Sequence, residues 1–164
     1  MRIRMNSSGA VSITEISPWE MKALRAVPVL ADASGHEGAM RRLFPVPVAG
    51  EDAEPEDEAE WDEFVRPELE ERFAANLEEF AAGLSRESGT PDRLRIEPGQ
   101  VESWYLALNQ ARLVMSERFG IDTGDVDRTM ELVAEGKLET LYHYELYTEL
   151  CGWLVYALKR VTGM

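Results

Sequence analysis

A chain of 164 residues with 45% hydrophobic content has the length and apolar stock of one globular domain, which excludes wholesale disorder. Its net charge of -14 repels phosphate backbones and anionic bilayers, so neither a nucleic-acid binder nor a membrane-surface protein is expected. The single cysteine, Cys151, rules out an intramolecular disulfide.

The charge is unevenly placed. Residues 51–72 carry twelve acidic side chains against two basic ones, whereas residues 1–45 carry six basic and four acidic. The start, MRIRMNSSGA, has no continuous apolar stretch of the signal-peptide kind. The longest apolar run, CGWLVYAL at 151–158, falls far short of the roughly 20 residues a membrane helix needs. The expected compartment is therefore the cytoplasm.

In chain order, Met1, Ile3 and Met5 alternate with Arg2 and Arg4, Ser7, Ser8 and Gly9 supply a turn, and Val11 and Ile13 resume the alternation. This is the pattern of a β-hairpin, and DRLRIE at 92–97 keeps the same period as a candidate third strand. Ser17, Pro18 and Glu20 form a capping box with proline at the first helical position. That helix is expected to stop near Ala26, because Pro28 cannot donate a backbone hydrogen bond. Residues 31–39 read as a loop, followed by an irregular extended stretch from Arg41.

Trp61, Val65, Leu69, Phe73, Leu77, Phe80 and Leu84 recur every three or four residues and mark a long helix. Pro67 inside this pattern either kinks the helix or sits in the first turn of a second one. Residues 85–92 form a linker by composition. A strong helix follows, carrying Val101, Trp104, Leu108, Ala111 and Met115 and stopping at Gly120. A short one over residues 125–134 is closed by Gly136, and Asp122 or Thr123 is expected to cap it. The last helix, 138–161, has one stripe of Tyr142, Leu146, Leu150, Trp153, Ala157 and Val161. A second stripe holds Leu141, Tyr144, Cys151, Val155 and Leu158. The architecture these elements imply is mainly α: a single domain over 1–164, with a hairpin at 1–16 and an irregular bundle of four or five helices at 17–164.

Two constellations could carry recognition. Asn109 and Arg112 are i, i+3 neighbours on a largely apolar helix, with Trp104 nearby. The arginine could grip a carboxylate in a pocket between this helix and the last one. The alternative is an internal tie, with Arg112 paired to Glu145 or Glu149 and Asn109 bonded to a loop carbonyl. The second constellation is Tyr142, His143, Tyr144, Glu145 and Tyr147. A general base at His143 would need an orienting carboxylate; Glu139, one turn away, is better placed than Glu145 for a plain contact. The tyrosines suit either an interface rim or a core with satisfied hydroxyls. With two histidines and one cysteine in the chain, His36 has no companions for a zinc site. Asp122, Asp125 and Asp127 lack the calcium-loop pattern. Cys151 lies in an apolar stretch without an adjacent base. There is no phosphate-binding glycine loop or nucleophile elbow, so neither a metal, a cofactor nor a catalytic residue is expected.

The segment from Trp104 through Leu108, Asn109, Arg112 and Leu113 to Gly120 resembles a bacterial family catalogued as domain of unknown function number two thousand and seventeen. Residues R-R-L-F-P at 41–45, leading into an acidic helix, and the aromatic C-terminal helix around Tyr147, Leu150 and Leu154 are similar to it as well. The resemblance implies no catalytic residues. It does imply a genomic setting, since genes of the family often neighbour that of the ClpS adaptor, which delivers substrates to an ATP-dependent protease.

Two functional expectations follow. The first is a non-catalytic interaction or regulatory protein linked to proteolysis, presenting its acidic 51–72 segment and the Tyr142, His143 and Tyr147 region to a protein partner. Charge reversal at Glu56, Glu58 and Glu60 would then weaken capture at low salt. The second is a small-molecule-binding domain or enzyme, with Trp104, Asn109 and Arg112 lining its pocket. A homodimer through the two-sided last helix is open under either.

Overall fold

Strand β1 (Arg2–Met5) pairs antiparallel with β2 (Val11–Thr14), and β2 with β3 (Arg93–Ile96), in the order β1-β2-β3. The computed structural model of the protein describes residues 1–45, 59–86, 92–121 and 124–162. The β1–β2 turn is held by Asn6, whose Oδ1 accepts from the backbone N–H groups of Ser8 and Ala10, while Gly9 takes a positive φ of 87°. Register sets Ile13 beside Leu94 and Val11 beside Ile96. All four are buried, so the alternation read from the sequence turns one sheet face onto the helices.

Helix α1 (Pro18–Leu30) begins at the expected capping box: Ser17 Oγ accepts from Glu20 N–H, and the Glu20 carboxylate accepts from Ser17 N–H. It does not stop near Ala26. Pro28 lies in its last turn, where the missing donor costs one hydrogen bond. Burial of Val27 and Ala31 draws that turn into the core. The expected loop at 31–39 is also shorter, because α2 (Glu37–Leu43) starts within it and takes in Arg41 and Arg42. His36 makes this possible by capping: its Nδ1 accepts from Ala39 N–H at 3.1 Å.

A π-helical turn over Trp61–Val65 leads into α3 (Arg66–Arg86). Arg66 N–H bonds to the Trp61 carbonyl, and Pro67 follows in the first α turn, so the widened turn absorbs the donor that proline lacks. The extra residue in that turn rotates the apolar pattern. Val65, expected in the stripe, is exposed, and the inward face is carried by Phe73, Leu77 and Phe80.

After a 3-10 turn at Pro98–Gln100 comes α4 (Val101–Phe119), ended by Gly120 at φ 61°. Helix α5 (Val126–Ala134) is capped by Asp125; the candidates Asp122 and Thr123 lie outside the described residues. Helix α6 (Leu138–Thr162) closes the chain. Helix α4 is the axis of the bundle, packed on by α6, α3, α2 and α1. One core joins β2, β3, α1, Phe80, α4 and α6, and a satellite of Ala33, Ala39, Leu43 and Val114 lies under α2. The fold is mainly α with a minor sheet. Helix α2 is the element missing from the expected count.

Candidate functional site

Arg112 projects from α4 towards α6. Its Nε donates to Thr148 Oγ1 at 2.9 Å and an Nη donates to Asn109 Oδ1 at 3.3 Å. Its guanidinium lies over the Tyr144 ring, 5.5 Å from the centroid. Thr148 in turn donates to the Tyr144 carbonyl. The tie to α6 therefore exists, but with a hydroxyl instead of Glu145 or Glu149. Those two flank Thr148 on the solvent side of α6 and are exposed. Asn109 bonds to Arg112, not to a loop carbonyl.

Trp104 faces another way. It is buried against α3, its ring 4.4 Å from that of Phe80 and in contact with Gly83. The expected pocket shared by Trp104, Asn109 and Arg112 is thus not assembled, because the indole packs on α3 while the guanidinium reaches α6.

His143 and Tyr147 are both core residues. The Tyr147 hydroxyl donates to the Ala23 carbonyl of α1 at 2.5 Å, and burial pushes its pKa up. The His143 ring stacks on it at 6.2 Å and is only 6% exposed. Burial holds the imidazole pKa below its ordinary value, with Glu139 opposing and Lys22 adding to the effect. Glu139 lies 3.7 Å from His143 Nε2, but its carboxylate is gripped by Lys22 at 2.6 Å. The imidazole Nε2 is buried and makes no hydrogen bond among the described residues. Of the tyrosine cluster only Tyr142 is at the surface; Tyr144 and Tyr147 are packed inside.

Cys151 is buried, and desolvation raises its thiol pKa although Arg112 partly offsets this. Among the described residues no three His, Cys, Asp or Glu side chains converge as metal ligands. No described helix is long and apolar enough to cross a membrane. Of the acidic segment, residues 51–58 lie outside the described residues, Glu56 and Glu58 among them. Glu60 and the following acids on α3 are exposed, with Arg66 bridging Asp62 and Glu70.

Sequence reasoning named Tyr142 as a surface residue but missed the rest of the face it belongs to, the outer side of α6. Leu138, Tyr142, Trp153 and Tyr156 are exposed there, and Trp19 of α1 stands beside the first two, 60% exposed. They line three adjoining hollows. Ser17, Trp19, Leu138, Glu139 and Tyr142 enclose about 660 Å³. Tyr142, Glu145, Leu146, Thr148 and Glu149 enclose about 330 Å³, and Glu149, Gly152, Trp153 and Tyr156 about 480 Å³. Tyr142 joins the first to the second and Glu149 the second to the third. The signal was present as the 4-3-4-3-4 spacing of Leu138, Tyr142, Glu145, Glu149, Gly152 and Tyr156. It was masked because Tyr142 and Trp153 read as members of an inward stripe with Leu146, Leu150 and Ala157. Only the last three are buried.

Neither a curated protein nor a solved structure shows a match to the chain. The model of a family described as a domain of unknown function, DUF2017, matches residues 11–161, and the chain belongs to that family.

Proposed function

We propose that the protein is a non-catalytic interaction domain, adaptor-like or regulatory in protein turnover, which receives a protein partner on the outer face of α6. The observation that carries this reading is the row of large apolar side chains left in solvent: Trp19, Leu138, Tyr142, Trp153 and Tyr156. Isolated exposed apolar residues are ordinary, but two apolar groups at the ends of one helix face, joined by hollows that Glu145 and Glu149 line, have the mixed apolar and charged composition of a docking surface. Of the candidate polar groups, Asn109, Arg112 and Tyr147 are engaged in hydrogen bonds within the fold. The family's gene neighbourhood directs the first search towards components of ATP-dependent proteolysis.

The test is affinity capture from the source cells by wild-type protein and by a Trp153→Ser/Tyr156→Ser variant. Both side chains are exposed, so the variant keeps the core intact. A stoichiometric partner retained by wild type, lost by the variant and weakened by salt supports the reading. A partner held equally by both proteins removes this face from the function.

Ligand binding keeps support at a different place from Arg112. A hollow of about 420 Å³ lies between α1, α2, α3 and α4, bordered by Met40, Phe44, Phe73 and Leu77. Gln110 lines it, donates to the Ala31 carbonyl, and has an Oε1 with no hydrogen-bond partner among the described residues. A thermal-shift screen whose hits disappear in Gln110→Met would favour this second reading, and hits unaffected by that change would exclude the hollow.

A further inference from the structure

We infer that the partner element seated on α6 is a basic amphipathic helix of another protein, and that it approaches α6 most closely at Gly152. The inference rests on the docking reading above and adds the chemistry of the occupant and its point of contact.

Gly152 lies in the interior of a 25-residue helix, where glycine is the least favourable residue apart from proline. Nothing inside the protein accounts for it. A Cβ built there meets no atom within 4 Å, and the position is exposed. Gly83, also inside a helix, has a plain internal reason, since its Cβ would collide with Trp104. A helical glycine open to solvent leaves the backbone bare for something that comes from outside. Here the bare spot is the floor of the third hollow. Glu149 stands one turn before it, and Trp153 and Tyr156 form the walls, their rings edge-on at 6.4 Å.

Length and charge select the occupant. From Leu138 to Tyr156 the face extends about 27 Å, the length of roughly 18 helical residues. Its lining recurs at the spacing of one helix face, apolar at the two ends and acidic between them, which suits the side of a second helix better than the flat edge of a strand. Glu145 and Glu149 sit between the apolar ends, exposed and without an ion pair among the described residues, unlike Glu139, which Lys22 neutralises. A partner with lysine or arginine flanking its apolar stripe would satisfy both carboxylates. A second copy of this chain would bring the same two carboxylates and a net charge of -14 of its own. Lys159 and Arg160 lie one turn past Tyr156 and end the acidic stretch, so the basic flank of the partner stops there.

Two properties of Gly152→Ala then move in opposite directions. The free protein gains helix propensity, raising Tm by about 3 °C, while the added methyl holds the partner off and weakens binding about tenfold. The experiment titrates labelled synthetic helices of 18 residues into wild type, Gly152→Ala, Trp153→Ser and Glu149→Lys. One helix has a leucine stripe flanked by lysines, and its counterpart is flanked by glutamates. A higher Tm with about tenfold weaker binding of the lysine helix by Gly152→Ala, and no binding of the glutamate helix, is the expected result. Unchanged binding by Gly152→Ala alongside loss in Trp153→Ser overturns the role of Gly152 and leaves the docking face standing. Equal binding by all four proteins overturns both. A concentration-dependent dimer of the free protein that dissociates in Gly152→Ala would make the occupant a second copy and overturn the basic partner.

Discussion

Replacing Gly83 by alanine sets two effects against each other, and the geometry says which prevails. Helix propensity favours alanine by about 1 kcal/mol at a helix-interior site. Against it, a Cβ at residue 83 would stand 2.8 Å from Cζ2 of Trp104, 3.1 Å from its Nε1 and 3.2 Å from Cε2. Three contacts to one rigid ring cannot be relieved by a single rotamer change. The ring is 1% exposed and has Phe80 packed 4.4 Å away, so its retreat disturbs the α3–α4 seam. Overpacking of this kind costs about 1–3 kcal/mol, and a contact so close to an enclosed ring belongs at the upper end. The net expectation is a loss of about 2 kcal/mol. Gly152→Ala is the control within the same molecule: with no atom within 4 Å of its Cβ, propensity alone acts and stability rises by about 1 kcal/mol. Urea unfolding followed by tryptophan fluorescence, with unchanged m-values, separates the two variants by about 3 kcal/mol. Gly83→Ala as stable as wild type would refute the close packing of Trp104 on α3.

Tyr147→Phe removes the hydroxyl bonded to the Ala23 carbonyl without opening a large cavity, and should lower stability by about 1 kcal/mol in the same assay. His143 gives a pH signature. Its folded pKa lies below the ordinary value of 6.5, so the unfolded chain binds the proton first, and stability is lost as pH falls from 6.5 towards the folded pKa. Glu139, with its pKa lowered from 4.5 chiefly by Lys22, contributes stability that is lost only at more acid pH. Unfolding measured from pH 7 to pH 5 should therefore show a decline that is reduced in His143→Gln; an identical slope in the variant would remove His143 as its source. Arg112→Ala breaks the contacts with Thr148 and Asn109 and should destabilise by about 1–2 kcal/mol while leaving partner capture by the folded protein intact. Loss of capture at full stability would return Arg112 to the site.

Local chemistry was legible without coordinates wherever the deciding atoms are near neighbours in sequence. Ser17 and Glu20 satisfy each other across three residues, Gly120 ends α4 by its own backbone freedom, and the alternation of Val11 with Ile13 and of Leu94 with Ile96 marks strands. The helical character of the chain and its family likeness follow from such signals. The site did not, because it depends on which face of each helix meets another element. Periodicity assigns Tyr142 and Leu146 to one stripe, yet α6 lies along α4 so that Leu146 is covered and Tyr142 is not. Arg112 was expected to find a carboxylate, and the rotation of α6 presents Thr148 instead. The sequence alone determined most of the elements and the Ser17 and Gly120 caps, since these are set by hydrogen bonds a few residues apart, but not α2 or its His36 cap. Tertiary structure decided that Trp104, His143 and Tyr147 are core and that the outer face of α6 is bare, because burial depends on the relative rotation of packed helices, which no short stretch of sequence encodes.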